Sequence, residues 1–203
     1  MFAVVAAAAA AAAPLRNLVV NGDCESGGSA LPLAPALGWS GGFFCCALPA
    51  LCGAPLNGTH VFFAGDCSGP ACATRANLYV QEGWQDVDVS AAAGALDGGT
   101  ASLVLGSAER SECGFDAARA TFELRDGPGG AVLSTSGTCS YRGGVWAPYL
   151  AVVRAPVGTR SVRVRLATTA AFGAAARGVH DAVSVSVCTT GAKGGARGGG
   201  GCS

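Results

Sequence analysis

The side chains of this chain that could do chemistry are few and scattered. It has only two histidines, His60 and His180, and neither belongs to H-E-x-x-H or another zinc-binding run. No G-x-S-x-G elbow presents a serine nucleophile, and no Walker A loop is there to cradle phosphates. A carboxylate pair for glycoside hydrolysis could be assembled from 13 acidic residues, but nothing in their spacing marks one out. The chain reads as non-catalytic.

Cysteine is the chemistry that stands out, with ten in 203 residues. Thiols this dense are rare in the reduced cytosol and common as staples in exported domains. None are spaced C-x-x-C, which argues against a zinc ribbon or a thioredoxin-type site. Spacing suggests a small Cys67–Cys72 loop and a Cys113–Cys139 staple across loops flanking a hairpin. The adjacent Cys45 and Cys46 should go to different partners, with Cys52 and Cys24 as candidates. Ten cysteines nevertheless allow very many pairings. Cys202, near the end of the chain, could join two copies into a disulfide-linked oligomer.

Thirteen basic residues balance the 13 acidic ones. A balanced chain argues against nucleic acid held by phosphate neutralisation and against a polybasic membrane patch. Aromatic rings are the better lead, because sugar rings present apolar C–H faces that flat side chains can cover. Tyr141 and Trp146 flank Gly143-Gly144 in a loop-like stretch and are candidate ligand-binding residues. Trp84 and Trp39 are further candidates, although packing in the core is the default reading of both. The alternating Arg119, Glu123, Arg125 and Arg163, Arg165 should form cross-strand pairs on a solvated sheet face.

These side chains need a scaffold, and the sequence predicts strands. Arg119–Arg125 is the clearest, with Ala120, Phe122 and Leu124 on one face and charged residues on the other. The turn residues 126–130 should return Ala131–Ser134 as a hairpin partner. His60–Ala64, Ala101–Leu105, Tyr149–Val153, Ser161–Leu166 and Ala182–Cys188 continue the series. Leu78–Val89 also alternates, but its apolar parity changes across Glu82-Gly83, which predicts a β-bulge. Residues 15–20 suggest a short strand ended by Asn21-Gly22. No long segment keeps a helical period, and Ala91–Ala95 allows one turn at most. Many short strands with Gly-rich turns predict an all-β, antiparallel sandwich with long loops.

Residues 1–13 are largely apolar, too short to span a bilayer, and resemble the core of a signal peptide without its positive start. Residues 14–190 would form the sandwich, and 191–203 a Gly-rich flexible tail. The expected location is secreted or cell surface, and Asn57-Gly58-Thr59 is a candidate glycosylation triplet.

"NLVVNGDCE" followed by Gly38-Trp39 resembles the opening of the galactose-binding-like jelly-roll superfamily, which includes many carbohydrate-binding modules. "GTHVFFAGD", "WQDVDVS", "APVGTRSVRVRL" and "HDAVSVSV" resemble later strands of that superfamily, in order. Cys24 departs by standing where a core aromatic is usual, and His180 by preceding the aspartate of the last strand. The resemblance implies a jelly roll, an extracellular glycan as partner, and a structural calcium held by Glu25 and Asp181. The same two carboxylates could instead tie down backbone N–H groups as ordinary turn residues. A disulfide-stapled structural scaffold without sugar affinity is the alternative function.

Overall fold

A computed structural model describes residues 16–26, 36–42, 44–46, 54–63, 80–111, 117–136, 139–141, 143–169 and 178–189. Eleven strands follow in order: β1 (Ser40–Gly41), β2 (Phe44–Cys46), β3 (Val61–Phe63), β4 (Val80–Asp88), β5 (Ala101–Ser111), β6 (Ala117–Arg125), β7 (Val132–Thr135), β8 (Cys139–Tyr141), β9 (Ala147–Val153), β10 (Ser161–Thr169) and β11 (Gly178–Thr189). The helix α1 (Ala93–Asp97), preceded by a 3-10 turn, joins β4 to β5.

Two antiparallel sheets result. The six-stranded sheet runs β1-β4-β10-β6-β7, with β8 pairing the first half of β6, and the five-stranded sheet runs β2-β3-β11-β5-β9. The alternating strands face their apolar residues inward. Phe122, Leu124, Val162, Val164 and Leu166 from one sheet meet Leu103, Leu105, Val183 and Val185 from the other, all completely buried. Burying each side chain of this size contributes about 1.5–3 kcal/mol, which is why alternation dictates the two-layer packing. The expected all-β sandwich is the observed fold.

Two local expectations need correction. The parity change in β4 produces no bulge: β4 and β10 stay in unbroken register from Ser161 opposite Asp88 to Thr169 opposite Val80. Val87 and Val89 therefore face the core, and Trp84 falls on the outer face with Glu82 and Asp86. The bulge lies in β11 instead, where Asp181 opposes Ala108 and Ser184 opposes Gly106. Ala182, at φ 51°, absorbs the extra residue, so His180 and the Val183–Val187 series both point inward.

Residues 16–20, expected as a strand, are irregular. Asn17 takes over the ladder with its side chain, donating to the Val183 carbonyl at 2.9 Å and accepting from the Val185 N–H at 3.1 Å. Gly22 then meets β11 backbone to backbone, and a Cβ there would stand 2.1 Å from the Val183 oxygen. The Asn-Gly pair forms the expected turn, closed by the Cys24 N–H donating to the Asn21 carbonyl at 3.1 Å, and its glycine also allows the close approach to the last strand.

Candidate functional site

The outer face of β4, β10 and β6 gathers polar side chains in rows set by register. One row reads Trp84, Arg165, Thr121; the next reads Glu82, Ala167, Arg119; the last pairs Thr169 with Ala117. On the other side of the Trp84 row lie Asp86, Arg163 and Glu123. Alternation places them outward, because their neighbours in each strand fill the core.

Carboxylates and guanidinium groups on this face are tightly matched. Arg163 makes a two-pronged contact with Asp86, both bonds 2.7 Å, and its guanidinium lies 5.9 Å from the Trp84 ring centre. The Arg163 hydrogen bond holds Asp86 below the usual carboxylate range. Arg165 bridges two acids, reaching Glu82 at 2.6 Å and Glu123 at 3.0 Å. Glu123 also accepts from Arg125. Burial pushes Glu123 up, but the hydrogen bonds from Arg125 and Arg165 outweigh it and hold it below its ordinary value. Of the cross-strand pairs expected from the sequence, those of Arg163 with Asp86 and of Arg165 with Glu123 are present, whereas Arg125 meets Glu123 along the same strand and Arg119 has no charged partner among the described residues.

Beside this network the face opens into a groove of about 440 Å³, lined by Glu82, Arg119, Glu123 and Arg165, with Ala117, Thr121, Ala167 and Thr169. Its floor is shallow because Ala167 and Ala117 stand where longer side chains would fill the row. At a strand spacing of about 4.8 Å, the backbones of Glu82 and Arg119 are roughly 10 Å apart across Ala167. The groove was not legible as such. Its signal in sequence is Ala167, which breaks the outward series Arg163, Arg165.

The individually expected ligand residues are dispersed. Trp84 is half-buried on the outer face next to the groove. Trp39 belongs to the core: its ring packs 4.8 Å from that of Phe62, and its N–H donates to the Val20 carbonyl. It has no free face to offer a ligand. Trp146 lies on the opposite side of the sandwich, against Cys46, Val61, Phe63 and Val179, with Arg110 over its ring at 5.4 Å. Its indole N–H donates to the Ala54 carbonyl at 3.1 Å. Tyr141 ends β8 opposite Ala118, and its side chain falls outside the described residues. Cys67, Cys72 and Cys113 lie outside them too, as does the side chain of Cys139.

Cys24 bonds Cys45, with Cys46 and Cys188 in further disulfides. A disulfide therefore occupies the core position where the resemblance expects a ring. It ties the Asn21–Ser26 turn to β2, whose neighbour β1 lies in the other sheet.

Glu25 and Asp181 stand on either side of the segment Leu56–His60. One Glu25 oxygen accepts the N–H groups of Thr59 (2.6 Å) and His60 (2.8 Å), and the other accepts the Thr59 hydroxyl (2.7 Å). Burial alone would raise the Glu25 pKa, but these donors, with the His60 ring, together bring it down to about 2. Asp181 accepts from Leu56 and Asn57 on one oxygen and from Ala182 on the other. Its burial pushes it up, against those three hydrogen bonds. Calcium needs six to eight oxygen lone pairs directed at it, whereas here N–H and O–H hydrogens point at the carboxylates. As arranged, the two residues do not fit a calcium ion; they clamp a loop. Gly58, at φ +69°, completes the clamp, since a Cβ there would sit 2.2 Å from a Glu25 oxygen. Asn57 is exposed on the same loop.

No family model and no curated protein matches the chain. Solved structures do. TmCBM61, a carbohydrate-binding module in complex with β-1,4-galactotriose, superposes with a TM-score of 0.50 and 12% identity over 86% of this chain and 99% of its own. The likeness is one of fold, a two-sheet jelly roll that carbohydrate-binding modules also adopt. Enzymes share this jelly roll. The Stig cyclase Fisc from Fischerella sp. TAU, solved with a pyrrolidinylidene-indole, matches at TM-score 0.54 and 11% identity over 86% of this chain and 98% of its own. The enzymatically active domain of tailspike protein 4 from bacteriophage CBA120 matches at TM-score 0.53 and 13% identity over 84% of this chain. The chain spans about a fifth of that tailspike domain, 21%. Among the described residues no helix is long and apolar enough to cross a membrane.

Proposed function

We propose that this jelly roll is a non-catalytic glycan-binding module of an extracellular protein, taking sugar on the outer face of β4, β10 and β6. The observation that carries the reading is the groove beside Trp84, a shallow trough with an alanine and threonine floor and polar walls. A sugar offers it hydroxyls for the Arg and Thr side chains and an apolar face for the neighbouring indole. The galactotriose complex of TmCBM61 supports sugar as the ligand class for this fold.

The non-catalytic reading rests on the groove's acids. Glu82 and Glu123 both accept from Arg165, and Glu123 is held ionised by two guanidinium groups. A general acid at neutral pH needs a raised pKa, and Glu123 has the opposite. The extracellular reading rests on the disulfides of Cys24, Cys45, Cys46 and Cys188, since such cross-links persist in oxidising compartments. Neither step needs a bound cation.

A structural scaffold is the second reading. It is favoured by edge strand β9, where Leu150 and Val152 are 74% and 69% exposed and association would cover them.

The test is titration calorimetry of the oxidised protein against a panel of soluble polysaccharides, repeated with Trp84→Ala. The expected result is binding to at least one polymer, weakened about two- to tenfold in the variant, since a lost aromatic contact is worth roughly 0.5–1.5 kcal/mol. No binding across the panel, with concentration-dependent self-association by light scattering, would move the assignment to the scaffold. Turnover of any polymer would overturn the non-catalytic reading.

A further inference from the structure

Arg119 is the guanidinium of the groove that the charge network leaves over. Arg163 is taken by Asp86, and Arg165 by Glu82 and Glu123, while Arg125 adds a second partner to Glu123. Asp88, at the far end of β4, turns to the Ser90 N–H at 2.8 Å. Arg119 is exposed, directly opposite Ala167 in register, and its guanidinium makes no hydrogen bond or ion pair among the described residues. Its neighbours on β10 and β6 in the groove are Ala117, Thr121, Ala167 and Thr169, none of which carries a charge.

A groove in which every carboxylate is already neutralised, and one guanidinium is not, selects for an anion. The hydroxyls of Thr121 and Thr169 and the small alanine floor restrict what bears that anion. Resting on the glycan reading above, we propose that the groove binds an acidic sugar unit, whose carboxylate or sulfate pairs with Arg119 while its ring lies over Ala167 and Ala117. The rigid fork of a guanidinium matches the planar carboxylate of a uronic acid with two parallel hydrogen bonds, and it accepts a sulfate ester by the same donors. Thr121 and Thr169 are placed to meet ring hydroxyls on either side. Glu82, across Ala167, is an acceptor already paired to Arg165, so that wall offers the anion no donor and the acidic end of the sugar lies toward Arg119.

The experiment compares three polymers at low and physiological salt: polygalacturonate, a sulfated galactan and a neutral galactan. Each is measured with the wild-type protein, Arg119→Gln and Arg119→Lys, with melting temperatures confirming that the variants fold. An acidic polymer should bind at least tenfold more tightly than the neutral one, roughly the worth of one charge-assisted pair. That preference should disappear in Arg119→Gln, survive in part in Arg119→Lys, and weaken with salt. Polygalacturonate and sulfated galactan separate the two sources of the anion, and preference for either supports the proposal. Equal binding of the neutral polymer, or a preference indifferent to Arg119→Gln, overturns it while leaving the glycan reading standing. Binding of no polymer overturns both.

Discussion

Replacing Glu25 with glutamine probes the carboxylate clamp at its most connected member. The side chain keeps its shape but loses the charge that three backbone and hydroxyl donors converge on. Its pKa falls from an ordinary 4.5 to about 2 on folding, which at full value corresponds to roughly 3 kcal/mol of stability. The carboxylate is 30% exposed, so solvent screening reduces this to about 2 kcal/mol. Because the folded value lies below the unfolded one, the contribution is complete above about pH 4.5 and is lost as pH falls toward 2. Urea unfolding of wild type and Glu25→Gln should therefore differ by about 2 kcal/mol at pH 7, a shift of roughly 5 °C in Tm. The difference should close as the pH approaches 2. Calcium and chelator should leave both curves unchanged at pH 7. A gap that persists undiminished at pH 2 would refute the electrostatic account. Stabilisation by calcium in wild type but not in the variant would show that the carboxylate serves a cation after all.

Three further outcomes follow from the same geometry. His180 is completely buried opposite Glu109, and burial lowers its pKa from 6.5 to about 3, so stability should decline as pH falls from 6.5 toward 3. His180→Phe should flatten that part of a Tm-against-pH profile, and an unchanged profile would exclude the imidazole as its cause. Removing the Cys24–Cys45 bond by double serine substitution should lower stability by roughly 3 kcal/mol for a closed loop of about 22 residues, measured by chemical denaturation. Trp39→Ala should cost about 3–5 kcal/mol as a core deletion, whereas Trp84→Ala should cost under about 1 kcal/mol, and equal losses would contradict their assignment to opposite faces.

The two-layer architecture was readable because alternation at period two is a direct imprint of one buried face. β6 and β10 show it in nearly every residue, and the charged partners Arg163, Arg165 and Glu123 could be assigned to the solvated side from spacing alone. Spacing failed where a residue's neighbour is set by another strand. The change of apolar parity across Glu82-Gly83 suggested a bulge, but unbroken pairing with β10 keeps Val87 and Val89 in the core and the Trp84 indole outside, beside Arg163. Trp146 sat in a Gly-rich stretch that reads as exposed loop, yet it packs beneath Arg110 on the outer side of the second sheet.

What the amino-acid order determined by itself is local: which residues are strands, which side of each strand is apolar, and, through ten cysteines, that the chain suits an oxidising compartment. Only the tertiary structure decided that Glu25 and Asp181 close on the N–H groups of one loop, and that Ala167 lies between Glu82 and Arg119 to open a groove. The physical reason is that a strand's periodicity records its exposure to core and solvent, whereas its register records pairing with residues far away in sequence. Glu25 and Asp181 are separated by most of the chain, and Arg119 meets Ala167 only across the ladder between β6 and β10.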